Sequence, residues 1–190
     1  MDDQWEERDL RFSLILAGIK ELNAHGAADF SLRRVANSCG ASCAAPYRHF
    51  KNKNDLILEI IRYINSRWVL LEQQIEALYA EDLPRLITEL AMAQIRFQLA
   101  NPEFRAVLMA DRRGLDEEQQ ALLNRMTAPL GGYVRRCFAA DGEETVLKKE
   151  YQLQSLIYGA VLYCENGTFA PDGNLQTVRE CVEEIMEEPR

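Results

Sequence analysis

Several residue types are scarce in this chain, and each scarcity closes off a class of function. No apolar run approaches the ~18 consecutive residues that a membrane-crossing helix requires, so no membrane partner is expected. Only 2 histidines occur among 190 residues, and one of them, His49, lies inside a basic stretch. There is no paired carboxylate, nucleophile–base or metal-ligand constellation, so the chain does not read as an enzyme and calls for no cofactor. The 5 cysteines (Cys39, Cys43, Cys137, Cys164, Cys181) are odd in number and share no interval. Cys39 and Cys43 are the only close pair, with no second pair nearby, so buried free thiols are expected rather than a disulfide framework or a metal site. The opening Met1-Asp2-Asp3-Gln4-Trp5-Glu6-Glu7 is acidic and polar. A secretory leader has a basic start and an apolar segment, so a cytoplasmic location is expected. Alternating strand patterns and internal repeats are absent.

The most telling absence is local. From Ser31 to Asn54 there is no acidic residue, while Arg33, Arg34, Arg48, Lys51 and Lys53 supply 5 positive charges in a chain of net charge −8. Residues 1–54 hold 8 basic and 7 acidic side chains, and residues 55–190 hold 14 and 23, so the net charges are +1 and −9. Such clustering is the electrostatic footprint of a phosphate-binding surface at one end of an otherwise acidic molecule.

Apolar spacing predicts helices throughout. Phe12, Ile15, Leu16, Ile19 and Leu22 form one stripe over 8–24, closed by His25-Gly26. Ser31 reads as an N-cap for 32–38, and Gly40 as the turn. Ser42 opens a second short helix over about 43–49, with Pro46 early in it. Asn52 or Asn54 caps a helix of around 24 residues that carries Leu56, Ile57, Ile60, Ile61, Ile64, Trp68, Leu71, Ile75 and Leu78. Further helices are expected over 84–101, 103–111, 116–139, 144–165 and 174–187. Arg112-Arg113-Gly114 and Ala170-Pro171-Asp172-Gly173 read as loops. The expected fold is all-α, with about nine helices: an N-terminal three-helix helix-turn-helix head and a C-terminal helical effector and dimerisation domain. Trp68, Met92, Phe97, Met109, Met126 and Tyr133 are candidates for lining an effector cavity, with plain core the competing reading. Gly159 beside Ala160 permits a close helix approach of the kind a symmetric dimer uses.

Residues 12–61 resemble the N-terminal domain of TetR/AcrR-type transcriptional regulators. The marks are Gly26, Phe30-Ser31-Leu32-Arg33-Arg34-Val35-Ala36, Gly40-Ala41-Ser42, and above all Tyr47-Arg48-His49-Phe50 followed by Lys53 and Leu56. The resemblance implies a DNA-binding domain over 1–53 and an effector-binding and dimerisation domain over 54–190. It implies a homodimer that reads palindromic double-stranded operator DNA, usually a repressor released by a small-molecule effector. By the same resemblance Tyr47, His49 and Lys53 touch phosphate, and Ser31 and Arg33 touch phosphate or groove. Ser42, Cys43, Ala44 and Ala45 form the base-facing edge, while Phe50, Val35 and Ala36 are core. The last two helices are implied to build the dimer bundle, with Leu153, Leu156, Ile157, Gly159, Ala160, Cys164, Val178, Val182 and Ile185 as candidate interface residues. Ser42 to Ala45 offer no long bidentate reader, so thymine-methyl contacts and DNA deformability are expected to carry much of the specificity. Cys43 reads either as a thiol sensor or as an inert small residue. A helical interaction module that keeps the DNA-binding head but lacks any small-molecule response is the alternative.

Overall fold

A computed structural model describes residues 2–102, 115–168 and 171–187, leaving aside the side chains of residues 2–8, 126–128 and 171–174. The fold is all-α, and no strand occurs among the described residues. In chain order the helices are α1 (Asp2–His25), α2 (Leu32–Ser38), α3 (Pro46–His49), α4 (Lys53–Tyr79), α5 (Leu83–Ala100), α6 (Glu117–Cys137), α7 (Glu143–Glu165) and α8 (Pro171–Glu187), with a 3-10 turn at Ala139–Asp141. No described helix is long and apolar enough to cross a membrane. The helix expected over 103–111 and the loop at Arg112-Arg113-Gly114 lie outside the described residues.

Three boundaries differ from expectation. Helix α1 starts at Asp2, ahead of its apolar stripe. Helix α3 is regular only from Pro46, because proline has no N–H to give the Ser42 carbonyl. That carbonyl is bound instead by Ala45 N–H at 2.9 Å, which closes a tighter turn ahead of the helix. Helix α8 begins at Pro171, where a loop was expected. Proline suits a first helical position, since the N–H it lacks has no intrahelical acceptor there.

Packing divides the chain into two units, one of residues 1–67 and 102–124, the other of 68–101 and 125–190. This division by contact does not fall at residue 53, the boundary by role expected from the sequence. Helix α4 changes unit between Arg67 and Trp68.

In the first unit α1 contributes Leu14, Ile15, Ile19 and Leu22 to the core, and α4 contributes Leu56, Ile57, Ile60, Ile61 and Ile64. Phe12 and Leu16, expected on the inner stripe, are exposed. Phe12 instead sets its ring edge-on to Tyr63 at 5.5 Å. The close approach of α1 to α4 is made at Gly18, where a Cβ would meet Ile60 Cδ1 at 2.6 Å. Helix α4 is capped by Asn52, whose Oδ1 accepts from Asp55 N–H at 3.0 Å, while Asp55 Oδ2 accepts from Lys51 N–H at 2.8 Å. Gln119, fully buried, donates to the Asn54 carbonyl at 2.8 Å and so ties the start of α6 to the start of α4.

The second unit has its own core. It is built from Leu86, Ile87, Leu90, Met92 and Ile95 of α5, Leu130, Tyr133 and Val134 of α6, Leu153, Ile157 and Ala160 of α7, and Val178, Val182 and Met186 of α8. Asp82 caps α5 by accepting from Arg85 N–H at 3.1 Å. Arg179 grips Glu89 with two N–H donors at 2.8 and 3.0 Å, joining α8 to α5. That guanidinium holds the Glu89 carboxyl below the usual carboxylate range.

Gly18→Val is expected to destabilise the protein by about 1–3 kcal/mol, because the added side chain forces the fully buried Ile60 out of its packed position. Urea denaturation checks this, and Gly18→Val with Ile60→Ala should recover part of the loss.

Candidate nucleic-acid interface

The basic stretch is organised around one carboxylate. Glu21, buried near the end of α1, accepts from Ser31 N–H at 3.1 Å and from Arg34 Nε at 2.8 Å. A second guanidinium nitrogen of Arg34 reaches the same carboxylate and the Asp29 carbonyl. Ser31 takes an extended conformation and its Oγ accepts from Arg34 N–H at 3.4 Å, which starts α2. Gly40, with φ of +65°, then turns the chain away from α2. Ala41 N–H donates to the Ala36 carbonyl at 3.0 Å, locking that turn.

The turn sets the orientation of the next residues. Ser42, Cys43, Ala44, Tyr47 and Arg48 face outward, whereas Ala45, Pro46 and Phe50 face the core. Cys43, Ala44 and Tyr47 fall on one face at helical spacing. Ala45 stands two residues before Tyr47, about 200° around the axis, and points inward. Ala45, expected on the base-facing edge, is therefore a core residue with 6% exposure. Tyr47 is 62% exposed, an orientation that packing alone does not explain for a large ring. His49 is half-buried, its ring tilted against Phe50 at a centroid distance of 6.1 Å.

The five cations divide into two groups. Arg33, Arg48 and Lys51 are exposed and have no ion-pair partner among the described residues. Arg34 is neutralised by Glu21. Lys53 donates its ammonium to the carbonyls of Ala27 and Ala28 at 3.1 and 3.2 Å. It thus holds the start of α4 to the turn after α1, so its expected phosphate contact competes with an internal one. Ser31 is likewise engaged, as the cap of α2. The Glu21–Arg34 clamp was missed in the sequence, although a visible signal marks it: a lone acid three residues after Gly18, on the buried face of α1.

The cysteines depart from expectation. Cys43 is exposed and Cys39, Cys137, Cys164 and Cys181 are half-buried, so none of the five cysteines is fully enclosed. Cys43 Sγ lies 3.9 Å from Asn37 Oδ1 at the rim of the turn.

The effector candidates all belong to the second unit where they are described. Trp68 and Phe97 meet edge-to-face at 5.5 Å. Met92 and Tyr133 sit in the unit's core. Met109 lies outside the described residues, and so does the Met126 side chain. Tyr133 donates its hydroxyl to Glu76 and is pushed up to about 12, first by burial and then by that carboxylate. A cavity of about 400 Å³ occurs elsewhere in this unit, lined by Leu130, Gly131, Val134, Glu150, Leu153, Gln154 and Tyr158.

Most of the interface candidates on the last two helices are corrected. Leu153, Ile157, Ala160, Val178 and Val182 are buried within the chain's own core, and Leu156 and Ile185 pack against it. The apolar stripe read from the sequence is the inner face of each helix. The outer face of α7 shows Leu147, Tyr151, Leu162 and Tyr163 exposed. Gly159 is partly exposed, and a Cβ there would meet nothing within 4 Å in this chain. Cys164 is half-buried.

Comparison with known proteins follows this geometry. The family model described as "Bacterial regulatory proteins, tetR family" matches residues 14–60, from the α1 core through α3 into α4. A TetR family transcription regulator from Marinobacter aquaeolei VT8 has the same fold, with a TM-score of 0.76 at 18% identity over 97% of this chain and 98% of that one. PfmR, a TetR family transcriptional regulator from Thermus thermophilus, gives 0.69 at 21% identity over 93% and 95%. FadR from Bacillus subtilis, a transcriptional regulator solved in complex with stearoyl-CoA, gives 0.68 at 13% identity over 94% and 99%. No curated protein sequence matches the chain.

Lys53→Met should lower unfolding stability by about 1–2 kcal/mol in the absence of any DNA, because it removes two charge-assisted hydrogen bonds. Denaturant titration of the free protein checks it. An unchanged midpoint would show that these bonds do not hold the head.

Proposed function

We propose that this chain is a transcriptional regulator of the TetR family that binds palindromic operator DNA as a homodimer and acts as a ligand-released repressor. The observation that carries the reading is the outward face of the turn and α3. Ser42, Cys43, Ala44 and Tyr47 are exposed there, and the same acid-free stretch holds Arg33, Arg48 and Lys51, which have no ion-pair partner among the described residues.

The chemistry follows from side-chain type. Arg33, Arg48 and Lys51 neutralise phosphates, which supplies affinity and salt dependence without sequence information. Tyr47 and His49 add phosphate hydrogen bonds that fix the register. The small side chains of Ser42, Cys43 and Ala44 let α3 lie deep in the major groove and meet thymine methyl groups. With no long bidentate reader on this edge, the remaining specificity comes from the deformability of the site.

Two copies pair through the outer face of α7. Leu147, Tyr151 and Leu162 recur there at helical spacing, and Gly159 leaves room for a second backbone to come close. Release depends on α4, which belongs to both packing units. A ligand in the second unit that binds the released state better than the DNA-bound state shifts the population toward release. A displacement of a few ångströms takes two heads out of register with major grooves spaced ~34 Å apart.

Selection of bound duplexes from a random pool tests the reading, and failure to enrich any palindrome at low salt would overturn it. On the recovered site, Tyr47→Ala should weaken binding by about tenfold or more, at roughly 1–3 kcal/mol per lost specific contact. Arg48→Ala should weaken binding evenly across sequences and reduce the slope of log affinity against log salt by about 1. Tyr151→Glu with Leu162→Glu should turn a dimer into a monomer in sedimentation velocity. It should also weaken binding to the full palindrome more than to a half-site.

A further inference from the structure

Two helices pass from the first packing unit into the second. Helix α4 does so between Arg67 and Trp68, and α6 does so between Asn124 and Arg125. The first turns of both helices belong to the first unit, and there they meet at one buried side chain. Gln119 is 0% exposed. Its Oε1 accepts from Asp116 N–H at 3.0 Å, and Asp116 Oδ1 accepts from Gln119 N–H at 2.9 Å. That reciprocal pair is a capping box, and it starts α6. The Nε2 of the same amide donates to the Asn54 carbonyl at 2.8 Å, in the first turn of α4.

Glutamine suits this position because an amide carries an acceptor at one end and a donor at the other. The oxygen is committed to α6 and the N–H to α4, so one planar group fixes both helix starts. The turn it holds leads directly back to the cationic stretch. Asp55, the residue after Asn54, accepts from Lys51 N–H at 2.8 Å, and Asn52 accepts from Asp55 N–H at 3.0 Å. Lys53 is held to the carbonyls of Ala27 and Ala28. Lys51 itself is exposed. Arg62 also bonds Glu118 at 2.9 Å between the same two helices. Those two side chains are 50% and 66% exposed, and such surface pairs contribute little. The buried amide therefore sets how the start of α4 lies against α6.

Resting on the reading of the chain as an operator-binding regulator, we infer that Gln119 is a positioning residue for DNA binding: it fixes the first turn of α4 and thereby places the Lys51 ammonium against a phosphate. Gln119 touches no DNA itself. Its N–H opposes any tilt of α4 away from α6, and Lys51 follows that tilt through the Asp55 carboxylate. The head does not need this bond in order to fold, since its core is apolar, built from Leu14, Ile19, Leu56, Ile57 and Ile60. What the bond supplies is the place of one cation on the phosphate-facing surface. Because α6 continues into the second unit, the position of α6 as well as that of α4 enters the charge that the head presents.

The test separates the two ends of the amide. Gln119→Glu keeps an oxygen for the Asp116 N–H but, when ionised, sets a second oxygen against the Asn54 carbonyl. Once protonated, the same carboxyl donates its O–H to that carbonyl and restores the joint. Burial and the neighbouring Asp116 carboxylate both raise the introduced carboxyl, so it takes up its proton in mildly acidic solution. Gln119→Met removes both ends and adds no charge. Fluorescence anisotropy follows binding of the full chain to a half-site duplex against salt, at about pH 8 and about pH 5, with circular dichroism melts to confirm folding. Loss of one phosphate contact weakens binding about fivefold at roughly 0.15 M salt and lowers the slope of log affinity against log salt by about 1. Relative to wild type, Gln119→Glu is expected to show this deficit at the higher pH and to recover most of it at the lower. Gln119→Met is expected to show it at both. In a Lys51→Met background neither substitution should change the slope further.

Variants that bind with the wild-type affinity and slope would overturn the inference. Weaker binding at an unchanged slope would do the same, because it reports only a smaller folded fraction. A further loss of slope in the Lys51→Met background would also count against it, since Gln119 would then act elsewhere. Should Gln119→Glu fail to fold at the higher pH, Gln119→Met, which buries no charge, decides by the same criteria. A wild-type chain that binds every duplex alike, with the slope still falling in the variants, would support the positioning role and overturn the operator reading instead.

Discussion

The head of this protein depends on a single carboxylate. Glu21 receives the Ser31 N–H and two nitrogens of Arg34, so it sets both where α2 begins and how it rests on α1. Removing the Arg34 guanidinium would leave the buried Glu21 carboxylate without its close cationic partner, which is strongly destabilising. Everything further along the basic stretch inherits its position from that anchor. Gly40 turns the chain at a fixed place, Ala45 and Phe50 turn inward, and Tyr47 is left outside.

The same anchor changes how the charge pattern is understood. Five cations in an acid-free window look equivalent when counted along the chain. In the fold, Arg34 serves Glu21 and Lys53 serves two backbone carbonyls. Three remain exposed for a polyanion. Arg33, Arg48 and Lys51 therefore form a smaller cationic set than the sequence suggests.

The second unit shows the reverse relation between sequence and site. Its apolar positions on α7 and α8 are regular, and regularity made them plausible interface residues. They turned out to be the unit's own core, because a helix needs its continuous stripe to fold before any partner arrives. The informative residues were the irregular ones, Leu147, Tyr151 and Leu162, which lie outside the stripe.

Periodicity, caps and punctuating glycines were enough to determine the all-α class, the order of the helices and the position of the basic window. These are local properties, set by backbone stereochemistry and by side chains within a few residues of one another. Gly26, Ser31, Gly40 and Asn52 acted where their chemistry demanded. Burial and partnership were decided only by the tertiary structure. That Ala45 faces in, that Arg34 is taken by Glu21 and that Gly18 admits Ile60 all depend on residues distant in sequence. Charge and apolarity are written in each residue, whereas what neutralises or covers them is a relation between elements that exists only once the chain has closed on itself.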